Sequence, residues 1–147
     1  MVKKKTSKTA KKKTRKKVST SKSKRQKKIV SDPAKEFSLE AAKLALSRHC
    51  TDIVILDLTG KSPATDYFVI ATGTSDRQMR TVADEICDAA KKRGIQRFGR
   101  AGYEQARWIL LDFIDVVIHI FDSEYRDYYD LELLWGDAER LTIDEGR

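Results

Sequence analysis

Two carboxylates and an imidazole share one short stretch, ARWILLDFIDVVIHIF at residues 106–121, where Asp112, Asp115 and His119 stand among mainly apolar and aromatic residues. Paired acids can hold a divalent cation for nucleotidyl or phosphoryl transfer, but only if they converge with substrate phosphates. The best phosphate cradle is TGTSDRQM, where Gly73 and Ser75 lead into a predicted helix N-terminus that could attract an anion. It has neither the glycine-rich fingerprint nor the following lysine of a P-loop. The first acids after Ser75, namely Asp76, Asp84 and Glu85, all fall inside that helix rather than on a following strand, which argues against nucleotidyl transfer.

A structural reading of the same residues is strong. Asp112 and Asp115 bracket Phe113 and Ile114, where the chain reverses, and aspartates at turn corners accept backbone hydrogen bonds. A two-residue type I′ turn would force Ile114 into the left-handed region, costly for a β-branched side chain, so a longer turn of type I geometry is expected. His119 lies mid-strand between Ile118 and Ile120, on the face of Val117 and Phe121, as a core or boundary residue. His49 ends a helix, where a protonated imidazole complements the dipole. No serine, cysteine or second histidine is spaced for a triad. Cys50 and Cys87 fit no metal-binding spacing and read as buried structural thiols of a reducing compartment. No cofactor or metal is expected.

Aromatic residues outside simple core spacing remain: Trp108, Tyr125, Tyr128, Tyr129 and Trp135. Tyrosine and tryptophan favour binding surfaces because they bury a large rigid area while keeping one polar group satisfiable. Trp135, beside Leu131 and Leu134, reads as core, whereas Trp108 at a strand's entrance is better placed for exposure.

The elements that must position these residues follow from periodicity. Ser38 is a plausible N-cap for a first helix with Leu39, Ala42, Leu46 and His49 at helical steps. Residues 52–58, DIVILDL, form a strand apolar on both faces, and DYFVIATG forms its neighbour, ending at Gly73. Ser75 and Gln78 have capping-box spacing, followed by an apolar stripe of Met79, Val82, Ala83, Ile86, Cys87 and Ala90. KKRG closes that helix with Gly94 beyond its end. IQRF gives a short strand, residues 108–112 and 116–121 give two more, and DSEYRDYYDLELLWG reads as one helix capped by Asp122 or Ser123 and stopped at Gly136. The sum is an α/β fold, a mixed five-stranded sheet flanked by helices.

At 147 residues the chain holds one modest domain. Its formal net charge of +8 is unevenly spread: 15 of the 30 Lys and Arg residues, and none of the 22 acids, lie in residues 1–28. The rest therefore carries 15 cations against 22 acids, a net of −7. Residues 1–30 read as a disordered basic tail and 31–147 as the domain, because the tail has too few apolar groups to offset the entropy of ordering. Lys11, Lys12, Lys13, Arg15, Lys16 and Lys17, in a tail whose cations are interleaved with Thr and Ser, suit sequence-blind binding to ribosomal RNA or another polyanion. A solubilising tail and an organellar transit peptide are the alternatives, the latter ranked third because the segment is Lys-rich and lacks an apolar stripe. No apolar run reaches the ~18 residues that span a bilayer, and no secretory signal is apparent, so a cytoplasmic protein with no membrane contact is expected.

Three segments in fixed order, DIVILDLTGKSPATDYFVIATGTSDRQ, WILLDFIDVVIHIF and YRDYYDLELLW, together resemble the ribosomal silencing factor family, also called Iojap-like. The resemblance runs from about Phe37 to Asp137 and leaves out the tail. It implies a fold similar to nucleotidyltransferases but without the catalytic acids, and no enzymatic activity. It further implies docking on a large-subunit ribosomal protein at the intersubunit face, hindering subunit joining and lowering translation. The family's partner-binding strand matches Trp108, Leu110 and Leu111, with Trp108 as anchor, and its tyrosine on the last helix matches Tyr129. Asp57, Asp66 and His119 also match family positions and are assigned structural roles. Ile114 stands where the family usually has glycine, and Ala101 and Gly102 where it often has Glu-Gly. The alternative function is a metal-dependent nucleotidyl- or phosphotransferase using Asp112 and Asp115, and a homodimer is left open.

Overall fold

The computed structural model describes residues 32–143. The basic tail, with its cation cluster, lies outside the described residues. The sheet belongs to a compact unit that begins at Ala34.

The first helix, α1 (Pro33–Ser47), starts five residues before Ser38. Proline has no N–H to satisfy in a first turn and its φ is already helical. Ser38 is therefore not a cap; it lies buried within α1, its hydroxyl donating to the Ala34 carbonyl at 2.9 Å. The buried stripe is Phe37, Ser38, Ala41, Ala42 and Ala45, rotated from the expected Leu39–Ala42–Leu46–His49 face. The apolar side chains of that stripe join the core shared with the sheet, and Phe37 meets Phe113 edge-on at 5.1 Å. A Schellman motif ends α1: Cys50 N–H donates to Ala45 O at 3.0 Å and His49 N–H to Leu46 O at 2.9 Å, with His49 at φ 73° where glycine is usual.

Strands β1 (Thr51–Asp57) and β2 (Tyr67–Thr72) pair antiparallel. Helix α2 (Asp76–Lys92) keeps the first half of its N-terminal signal, Ser75 Oγ accepting from Gln78 N–H at 3.1 Å, while Gln78 Oε1 reaches one residue past the cap and accepts from Thr74 N–H at 2.6 Å. It too ends in a Schellman motif, with Gly94 at φ 76°. The next strand, β3, is Gly99–Ala101 rather than IQRF. Strands β4 (Trp108–Asp112) and β5 (Val116–Phe121) form the expected hairpin. The last predicted helix is two: α3 (Ser123–Tyr129), capped by Asp122, and α4 (Leu131–Leu134), separated by Asp130 at φ 45°. A sixth strand, β6 (Glu139–Leu141), adds to the expected five.

The sheet order is β3-β4-β5-β2-β1-β6, with β2 and β5 parallel and the other pairs antiparallel. One face, including Ile55, Val69, Ala71, Ile109, Leu111, Ile118 and Ile120, shares a continuous core with the buried stripes of α1 and α2. The other carries Leu56, Leu58, Ile70 and Phe121, against which residues of the much shorter α3 and α4 pack. Two full helices against one face and barely three turns against the other leave the second face half open. Among the described residues, no helix is long and apolar enough to cross a membrane.

The β4–β5 turn differs from the expected type I geometry. Ile114 sits at φ 73°, Asp115 N–H donates to Phe113 O at 2.9 Å, and Asp112 Oδ1 accepts from Ile114 N–H at 2.8 Å. The bond spanning two residues is that of a γ-turn in its strained, positive-φ form, which a β-branched residue adopts at a cost. Ile114→Gly is expected to raise the unfolding free energy by about 1 kcal/mol, strain relief exceeding the entropy cost of glycine at this exposed site. Denaturant unfolding checks it; an unchanged or lower midpoint would show that the turn is not strained.

Candidate functional surface

Alternation along β4 places Trp108 and Leu110 on the half-open face and Ile109 and Leu111 on the covered one. Leu111, expected at a partner-binding position, has 0% exposure and belongs to the core packed by α1 and α2. The structure thus brings together Trp108, Leu110 and Tyr129 and leaves Leu111 on the opposite side of the sheet.

Trp108 is half-buried at the centre of a group of rings. Its indole stacks on Phe121 at 4.9 Å, lies 4.7 Å from Tyr129, and donates from Nε1 to His119 Nδ1 at 3.1 Å. Tyr129 in turn touches Tyr125 and Tyr128 at 5.7 and 5.0 Å. Arg107 fixes the junction between β4 and α3: it pairs with Asp122 and with Glu124 at 2.9 Å, and its guanidinium lies 4.5 Å over the Tyr125 ring. Beside this junction a groove of about 410 Å³ is lined by Gly102, Gln105, Arg107, Trp108, Leu110 and Tyr125, among others.

The break at Asp130 has a consequence at the surface. Arg126, buried, donates to Thr72 Oγ1 at 2.8 Å and to Glu132 at 2.7 Å, which holds α4 at the sheet and keeps the Glu132 carboxyl below its ordinary range. In that orientation Leu133 and Leu134 are 75% and 72% exposed, and Tyr128 is 80% exposed. Leu134 is therefore not the core residue expected beside Trp135, whereas Trp135 does pack edge-on against Phe68 at 6.2 Å. Large apolar side chains are thus exposed on both α3 and α4.

Of the two hairpin aspartates, Asp112 caps the turn with its carboxylate, whereas Asp115 contributes its backbone carbonyl to the pairing with β2. Asp112 Oδ1 accepts the Ile114 N–H, and the Asp115 carbonyl accepts the N–H groups of Asp66 and Tyr67 at 2.9 and 3.1 Å. Among the described residues, no three His, Cys, Asp or Glu side chains are grouped to hold a metal. Asp57 caps its own turn through Thr59. Of the thiols, Cys50 is buried, which pushes its pKa up to about 11, and Cys87 is half-buried with its sulfur 3.7 Å from an Arg97 nitrogen.

Fold and face together define an α/β domain whose sheet is sealed by helices on one side and presents clustered rings on the other. A family model described as ribosomal silencing factor during starvation matches residues 31–147, and the chain belongs to that family. A ribosomal silencing factor of Bacillus subtilis is 44% identical over 106 residues, covering 72% of this chain and 90% of that protein. The chloroplastic protein Iojap of Arabidopsis thaliana is 33% identical over 107 residues, 73% of this chain and 44% of its own length. A crystal structure of a Chromobacterium violaceum protein is similar with a TM-score of 0.67 at 32% identity, covering 76% of this chain and 92% of that one. One from Bacillus halodurans has a TM-score of 0.61 at 36% identity, covering 70% and 93%.

Proposed function

We propose that this chain is a noncatalytic translation repressor of the cytoplasm. It docks through the Trp108 face on a large-subunit ribosomal protein at the intersubunit side and hinders joining of the small subunit. The observation that carries this reading is the family membership combined with an open face on which Trp108, Leu110 and Tyr129 lie together beside exposed Tyr128. A central indole flanked by aliphatic and aromatic groups is the composition of an interface hot spot. The net charge of −7 outside residues 1–28 suits a basic ribosomal surface.

Sedimentation of purified ribosomal subunits with added protein tests the docking. Trp108→Ala and Leu110→Asp are each expected to weaken large-subunit binding by about 2 kcal/mol, roughly 30-fold, and to raise by the same factor the concentration that blocks joining. Leu110 is partly exposed and belongs to neither buried cluster, so its variant separates docking from core stability. Wild-type blockade by both variants would overturn the assignment of this face.

The tail supplies a second, electrostatic contact in this reading, with Lys11, Lys12, Lys13, Arg15, Lys16 and Lys17 on ribosomal RNA. Deleting residues 2–28 is expected to weaken large-subunit binding and to flatten its salt dependence. If those six cations each neutralise a phosphate, the log–log slope falls by roughly 4 to 5. Unchanged affinity across salt concentrations would refute the contact.

A further inference from the structure

The Trp108 indole N–H can only donate, so the His119 Nδ1 that receives it at 3.1 Å must be unprotonated, with the ring proton on Nε2. That Nε2 is buried and has no hydrogen-bond partner among the described residues. A leucine at this point in the sheet would leave no polar atom unsatisfied, so a buried, half-satisfied imidazole is costly where an aliphatic side chain could pack. His119 is 4% exposed and cannot itself reach a partner surface. Its neighbours immobilise it: Phe68 meets it edge-on at 4.5 Å, and Phe121 lies nearly parallel at 6.1 Å while also stacking on the indole. It stands on β5 between β4 and β2, directly opposite Leu110, with Trp108 on the adjacent diagonal.

Resting on the docking reading above, we propose that His119 is the positioning residue of the docking face: its unprotonated Nδ1 fixes the Trp108 indole in the orientation that a partner meets. The hydrogen bond removes one of the alternative rotamers that a half-buried tryptophan at a strand entrance would otherwise sample. The partner then binds without ordering its anchor at that moment, a saving that appears as affinity.

The experiment compares His119→Leu with His119→Asn in the full chain. Asparagine places Oδ1 where Nδ1 stood and retains an acceptor; leucine does not. In the free protein, the Trp108 indole N–H is followed by nitrogen-15 NMR hydrogen exchange, with Trp135 as internal reference. Binding to purified large subunits is measured alongside. His119→Leu is expected to speed Trp108 indole exchange at least 10-fold and to weaken binding about 10-fold, with an undiminished thermal midpoint. His119→Asn is expected to stay within about 3-fold of wild type in both. Wild-type exchange and affinity in the leucine variant, or equal losses in both variants, overturn the proposal. Should leucine fail to fold, His119→Val carries the same expectation. If Trp108→Ala binds like wild type, the docking reading fails, while the exchange data still decide whether His119 orients the indole.

Discussion

Replacing Gly102 by alanine is expected to lower the unfolding free energy by about 3 kcal/mol or more, against about 1 kcal/mol for Gly60→Ala. Both glycines have positive φ, 77° and 79°, so both substitutions place an L residue in the left-handed region. They differ in what a Cβ would meet. At Gly60 nothing lies within 4 Å, whereas at Gly102 the new carbon falls 2.0 Å from the backbone carbonyl oxygen of Trp108. No rotamer change relieves an overlap with backbone. Either β4 retreats from the loop, or the Ala106 N–H to Gly102 O bond of 3.0 Å opens. Each route moves Trp108, so loss of its indole packing should accompany the loss of stability. Gly94→Ala, at φ 76° with an open surround, provides a second control for pure backbone strain. Denaturant unfolding of the three variants, with tryptophan fluorescence as one probe, decides the matter. Equal costs for Gly102 and Gly60 would show that the loop yields freely and does not set the position of Trp108.

The hairpin and α2 were legible in the sequence because local signals agree there. Residues 108–112 and 116–121 are apolar runs separated by turn aspartates, and Ser75, Gln78 and Gly94 mark both ends of α2. Other features depend on tertiary context. Strand β6 is only Glu-Arg-Leu, and it exists because Ile55, Leu56 and Asp57 offer an edge to pair with. The split at Asp130 is hidden because Tyr125, Tyr128, Leu131 and Trp135 keep three- and four-residue steps through it, and only the left-handed backbone breaks the helix. Beyond that break Leu134, expected in the core beside Trp135, stands exposed to solvent. Leu111 is a different case. Strand alternation from Trp108 already places it with Ile109, so the signal for its burial was present in the sequence. The bond between Trp108 and His119, by contrast, crosses from one strand to the next on a diagonal, which needs a known register before it can be read.

Acid should destabilise this domain through His119. Burial among Phe68, Trp108 and Phe121 pushes its pKa down to about 3, whereas in the unfolded chain it titrates near 6.5. Above pH 6.5 the imidazole is neutral in both states and contributes no pH dependence. Below that, the unfolded chain takes up a proton that the folded chain refuses, so stability falls as pH drops through the window from 6.5 towards 3. The slope approaches about 1.4 kcal/mol per pH unit, and between pH 7.5 and 4.5 the loss is roughly 2 to 3 kcal/mol. Glu132 acts in the same direction but lower down: its carboxyl, held below the ordinary range by Arg126, contributes stability that is lost only as pH falls beneath the normal glutamate range. Measurements above pH 5 therefore isolate the histidine. In His119→Asn the group is absent, and carboxylate contributions common to both proteins cancel in the comparison. The difference in unfolding free energy between wild type and His119→Asn should shift against the wild type by about 2 kcal/mol from pH 7.5 to 5. A pH-independent difference would mean that the folded imidazole accepts a proton readily. It would then be able to turn Nδ1 from acceptor to donor and let go of the indole.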